Sequence, residues 1–127
     1  PSFMTPLELV HPKLTQLIEV ADFASRKQEI MALSDGFIAL PGGLGTLDEL
    51  FEVWTQSTVG QCSKPIALLN TQGFFDGLID FIKHQVTCGF IPPCLFEHLI
   101  VEADPFQMIT RMKNQTVFPN KLEKATQ

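Results

Sequence analysis

Pro41-Gly42-Gly43-Leu44-Gly45-Thr46-Leu47-Asp48-Glu49 brings three glycines, a threonine and a glutamate into one short stretch. Glycines at 42, 43 and 45 permit positive φ and leave main-chain N–H groups open to a close ligand. A helix starting just beyond them adds unpaired N–H groups and the positive end of its dipole, which favour an anion, most simply a phosphate. Thr46 and Glu49 have the spacing of a capping box, in which hydroxyl and carboxylate satisfy each other's orphan backbone N–H groups. The same Glu49, one turn inside a helix whose end holds phosphate, would stand within reach of a nucleotide's sugar, where a carboxylate does acid-base or charge-stabilising work. Arg26 and Lys27 carry a similar double reading. They are either a solvated helix face or, if their helix starts at the same sheet edge, a forked guanidinium for phosphate or carboxylate with Lys27 as a weaker second contact. His11, His84 and His98 lack a Ser or Cys partner pattern and read as structural or surface residues.

These residues need elements to hold them. Leu14–Val20 is β-branched and partly alternating and predicts a short strand. Ala21 to Leu33 predicts a helix, with Phe23, Ile30 and Met31 on roughly one face and Ser34-Asp35-Gly36 ending it. Phe37 to Leu40 is a continuous apolar run, the pattern of a strand buried on both faces of a parallel sheet, and the glycine turn leaves its carboxyl end. Thr46 to about Thr58 repeats Leu47, Leu50, Phe51, Val53 and Trp54 at helical spacing. Ile66 to Asn70 predicts the next strand and Gly73 to Asp76 a turn. Leu78, Ile79, Ile82 and Val86 predict a helix that Gly89 and Pro92-Pro93 terminate. Leu99 to Glu102 predicts a last strand, and Asp104-Pro105 an N-cap and first-turn proline opening a helix through about Asn114. Residues 116–127 are polar and are expected to fray. Strand-helix alternation with buried strands predicts a single α/β domain over residues 1–127, a parallel sheet whose ligands sit outside the strands' carboxyl ends.

Composition narrows the function classes. The chain has 127 residues, 45% of them hydrophobic, which supports a packed core rather than disorder. No apolar run approaches the ~20 residues that span a bilayer, and no basic-then-apolar leader pattern opens the chain, so no membrane partner and a cytoplasmic location are expected. A net charge of −5 supplies no basic field for nucleic acid. Cys62, Cys88 and Cys94 form an odd set without metal-type pair spacing, against both a disulfide framework and a zinc site.

Arg26-Lys27 with Met31, Ser34-Asp35, and the glycine turn through Glu49 resemble the Lonely Guy family of cytokinin riboside 5′-monophosphate phosphoribohydrolases, often labelled lysine decarboxylases. The likeness continues through Lys64 to Asn70 and Gly73-Phe74-Phe75-Asp76 and covers nearly the whole chain. The resemblance implies a Rossmann-like parallel sheet flanked by helices, here without the N-terminal βαβ portion that members usually carry. It implies that Gly42, Gly43, Gly45 and Thr46 hold the 5′-phosphate and that Arg26 and Glu49 are the catalytic pair. The implied reaction is hydrolysis of the N-glycosidic bond of an adenosine monophosphate bearing an isoprenoid on its exocyclic amine, such as isopentenyl-adenosine monophosphate. It also implies a homodimer and no metal or cofactor. The alternative reading is a non-catalytic nucleotide-binding module of the same fold.

Overall fold

The computed structural model describes residues 1–6 and 10–115. They pack as two units, divided between Ser34 and Asp35. The expected fraying of residues 116–127 lies outside the described residues.

The first unit contains one helix, α1 (Phe23–Leu33). Asp22 caps it, its carboxylate accepting the Ser25 N–H at 2.7 Å. That backbone hydrogen bond holds the Asp22 carboxyl below its ordinary value of 3.8, because it favours the charged form. The strand expected over Leu14–Val20 is absent: this segment is irregular, exposed except for half-buried Val20. A strand exists through its ladder, and this segment pairs with no strand, although the Ser2 N–H donates to the Val20 carbonyl. β-branched composition without a partner strand makes no sheet.

The second unit is a three-stranded parallel sheet with helices on both faces. Its strands are β1 (Phe37–Ala39), β2 (Ile66–Leu69) and β3 (Ile100–Glu102), in the order β1-β2-β3. Phe37 lies opposite Ile66, and Ala67 opposite Ile100. Helix α2 (Leu44–Thr58) crosses from β1 to β2. Helix α3 (Asp76–Thr87) and the short α4 (Pro93–Glu97) cross from β2 to β3, and α5 (Pro105–Asn114) follows. Parallel pairing forces such long crossovers.

Ala67, Ile100, Met108 and Met112 form one side of the core, under α5. Ile66 and Leu68 alternate to the other face and are fully buried, as are Ile82 and Ser57. On α2 the buried residues are Leu50, Val53, Trp54 and Ser57, one stripe at helical spacing. Ser57 is accommodated there because its hydroxyl donates to the Val53 carbonyl at 2.9 Å.

β2 is the strand the continuous apolar pattern describes, buried on both faces. β1 departs from that expectation: Phe37 is half-buried and Ile38 is 38% exposed. Apolar runs cannot separate a central strand from an edge strand, and β1 is the edge of this sheet. Of the expected stop signals, Gly89 lies at the end of α3, whereas Pro92 and Pro93 lie beyond it, as the N-cap and first residue of α4, where a missing N–H costs nothing.

Candidate functional site

The glycine turn leaves β1 at its carboxyl end and runs directly into α2, as predicted. The local mechanism differs from the expectation in two respects. First, positive φ occurs at Gly60, Gly73 and Gly89 among the described glycines, not at Gly42, Gly43 or Gly45. The turn's glycines therefore serve for space rather than for left-handed backbone. At Gly42 an added Cβ would fall on the Thr46 hydroxyl, so that side chain occupies the room glycine leaves. At Gly43 and Gly45 a Cβ would meet no protein atom within 4 Å. The fold leaves these two positions open.

Second, α2 begins at Leu44 with Gly43, which has no side chain, as N-cap. Thr46 is thus the third residue of the helix and Glu49 the sixth, so the pair does not form the expected capping box. A box needs its threonine outside the helix, in extended backbone, and here the glycine turn ends three residues earlier. A capping box therefore does not account for Thr46 and Glu49. The first-turn N–H groups of α2 have no carbonyl partner within the helix.

Thr46 and Glu49 are both half-buried, on adjoining turns of α2 at a spacing that puts them on neighbouring positions of one face. Six residues separate Gly43 from Glu49, a rise of about 9 Å along the axis. An anion at the helix end and a group a nucleotide-sugar length away along α2 are therefore spanned by this one element. α2 carries three carboxylates, Asp48, Glu49 and Glu52, and no basic residue. Positive charge for a phosphate must come from N–H groups and from other elements.

The structure brings Gly42, Gly43, Gly45, Thr46 and Glu49 together on the turn and the first two turns of α2. Arg26 and Lys27 lie in the separately packed first unit, both half-buried, in the second turn of α1 after the Asp22 cap. Arg26 lines a depression of that unit with Val20, Glu29, Ile30 and Leu33.

Sequence reading marked Gly73 to Asp76 only as a turn, and the structure shows a built loop there. The Asn70 side chain follows β2, accepts the Phe75 N–H at 2.7 Å and donates to the Asp76 carboxylate at 2.8 Å. Gly73 has φ +71, and a Cβ on it would collide with that carboxylate. This loop stands at the carboxyl edge of the sheet, as the glycine turn does. The signal that could have found it is an Asn directly after a strand, followed by Gly and Asp at turn spacing.

Among the described residues no helix is long and apolar enough to cross a membrane, and no three His, Cys, Asp or Glu side chains gather as a metal group.

A parallel sheet flanked by helices, with a glycine turn at its carboxyl edge opening a helix, defines a Rossmann-like α/β protein. The family model described as possible lysine decarboxylase matches residues 1–112, and the chain belongs to that family, as the likeness of Arg26-Lys27 and the glycine turn implied. Over 103 residues it is 44% identical to the cytokinin riboside 5′-monophosphate phosphoribohydrolase LOG1 of Arabidopsis thaliana, covering 81% of this chain and 48% of that protein. It is 43% identical over 103 residues to the cytokinin riboside 5′-monophosphate phosphoribohydrolase of Rhodococcoides fascians, covering 81% and 52%. It is 38% identical over 113 residues to LOG3 of Arabidopsis thaliana, covering 89% and 53%. The chain spans about half the length of these relatives.

Proposed function

We propose that this chain carries the phosphate turn and the catalytic pair of a phosphoribohydrolase acting on cytokinin riboside 5′-monophosphates. The observation that carries the reading is the α2 N-terminus: a glycine turn, open at Gly43 and Gly45, followed on the same helix by Glu49. In relatives named for this activity, 43–44% identity accompanies it.

The 5′-phosphate sits on the turn, against the N–H groups of Gly43, Gly45 and Thr46, with the Thr46 hydroxyl as a further donor and Gly42 giving that hydroxyl its room. The ribose then lies along α2 toward Glu49. As the bond between C1′ and the purine nitrogen lengthens, positive charge develops on the sugar, and the Glu49 carboxylate stabilises it and orients the attacking water. Water adds its oxygen to C1′. The purine leaves with the bonding electron pair and takes up a proton, so the products are the free N6-modified base and ribose 5-phosphate. Arg26 fixes an anionic or hydroxylated part of the nucleotide, with Lys27 beside it in a lesser role. Family likeness adds a cytoplasmic homodimer, with a small-molecule nucleotide as substrate and no metal or cofactor.

The second reading is a module that binds the nucleotide without turning it over. Chromatographic measurement of free base released from isopentenyl-adenosine monophosphate separates the two. Release that scales with protein concentration supports the enzyme. Saturable binding without release selects the module, and neither binding nor release rejects both.

A further inference from the structure

A strand at the edge of a sheet offers its outward N–H and C=O groups to any extended chain that meets it. The second unit has two such edges, β1 and β3. On β3 the Glu102 carbonyl accepts the Asn70 N–H at 2.7 Å, so Glu102 turns toward β2, and the alternation of an extended strand sends the Val101 carbonyl outward. That carbonyl is occupied. The Arg111 guanidinium, reaching back from α5, donates through Nη1 to the Val101 carbonyl at 3.2 Å and to the Glu102 carboxylate at 2.9 Å.

Two further bonds close the approach to the same strand. The Gln115 side-chain amide, four residues beyond Arg111, donates to the His98 carbonyl at 2.8 Å, and the Leu99 N–H donates to the Phe96 carbonyl at 3.0 Å. While Met108 and Met112 of α5 pack into the core, Arg111 and Gln115 reach the backbone of β3 and of the residue pair before it. Stability does not account for Arg111, because its ion pair with Glu102 is half-exposed on the arginine side and such pairs contribute little. Its donor capacity does, since one guanidinium nitrogen carries two N–H groups, enough for the carbonyl and the carboxylate at once.

We propose that Arg111, with Gln115, closes the β3 edge to strand addition, so that the sheet does not continue through this side into a second copy of the chain. At the other edge the Phe37 N–H donates to the Pro65 carbonyl at 2.9 Å, which turns the Ile38 N–H and carbonyl away from β2. Copies that meet edge to edge through β1 alone can do no more than close a pair about a two-fold axis. Copies with β3 uncovered gain a further contact on the opposite side, and with it open-ended growth. Glu102 acts through Arg111, holding the guanidinium over the Val101 carbonyl, and is a positioning residue of the closure.

The test is sedimentation velocity of the full chain over a range of protein concentrations, with infrared absorption for intermolecular β-structure and circular dichroism as the fold control. Arg111→Ala is expected to keep its helical signal, with a thermal midpoint within about 5 °C of the wild type. It gains an association step that the wild type lacks, accompanied by the intermolecular β band. Arg111→Met, which keeps the aliphatic stem without the donors, carries the same expectation and replaces alanine if that variant unfolds. Arg111→Lys retains a charged donor at the edge and restores the wild-type size distribution. Lys113→Ala removes the same charge from the same last turn of α5 and leaves association unchanged. The proposal is overturned if folded Arg111→Ala or Arg111→Met sediments as the wild type does, or if Lys113→Ala associates as far as they do.

Discussion

At the scale of single residues, the three glycines of the turn do separable work. Gly42 makes room for the Thr46 hydroxyl, whereas Gly43 and Gly45 face no protein atom that a methyl group would strike. Gly45 lies inside α2, where alanine is the better helix former, so Gly45→Ala should leave the unliganded protein unchanged or stabilise it by up to about 1 kcal/mol. If the turn cradles a phosphate, the same methyl group intrudes on the ligand, and nucleotide affinity falls by about tenfold or more. Paired thermal denaturation and calorimetric titration read both effects. Loss of affinity with retained stability is expected, while unchanged affinity would remove Gly45 from the site. Part of this was legible beforehand, since glycine spacing after an apolar run marked the turn. The reason for the glycines was not, because sequence does not reveal which φ values a turn adopts or which side chain fills the space beside it.

At the scale of elements, boundaries decide the chemistry. Thr46-x-x-Glu49 looked like a helix start because the residue types fit one, yet α2 begins two residues before Thr46, at Leu44. The competing signal was Gly43, which also serves as N-cap and here takes that position. Helix ends elsewhere were read correctly from chemistry: Asp104 accepts the Phe106 and Gln107 N–H groups at 2.8 and 3.3 Å ahead of Pro105. Asp104→Ala should cost about 1 kcal/mol by denaturant unfolding. Gly89→Ala should cost about as much, because φ +85 is strained for alanine while its Cβ would meet open space. A neutral Gly89→Ala would mean that the α3 end relaxes into another cap. For α1, the Asp22 carboxyl is depressed by its bond to the Ser25 N–H. A depressed acid stabilises the folded form above its unfolded value and loses that contribution as pH falls through its folded value. The Ser25 amide resonance should therefore shift as pH is lowered from neutrality to below 3.8, and Asp22→Ala should abolish that shift.

At the scale of the whole molecule, the alternation of buried runs and amphipathic stretches was enough to predict a parallel α/β sheet, because parallel strands must be joined by crossovers and covered on both faces. What alternation could not supply was pairing. Leu14–Val20 has strand composition and no ladder, and Phe37–Ala39 has the pattern of a central strand but stands at an edge. Partners in a sheet come from distant chain positions, and no local window contains them. The core that results is small and depends on a few fully buried side chains. Ile82→Ala should destabilise the second unit by roughly 2–5 kcal/mol, read as a lowered unfolding midpoint. A cost under about 1 kcal/mol would mean that α3 collapses readily onto the cavity.

The central claim is that α2 binds a nucleotide's phosphate at its glycine end and uses Glu49 for glycosidic cleavage. Glu49→Gln keeps the side chain's shape and removes its charge. Affinity for isopentenyl-adenosine monophosphate and the rate of free-base release should be measured together on this variant and on the wild type. The account predicts affinity within about threefold of wild type and a rate lowered by roughly 10²–10⁴. Base release from Glu49→Gln at the wild-type rate would contradict it.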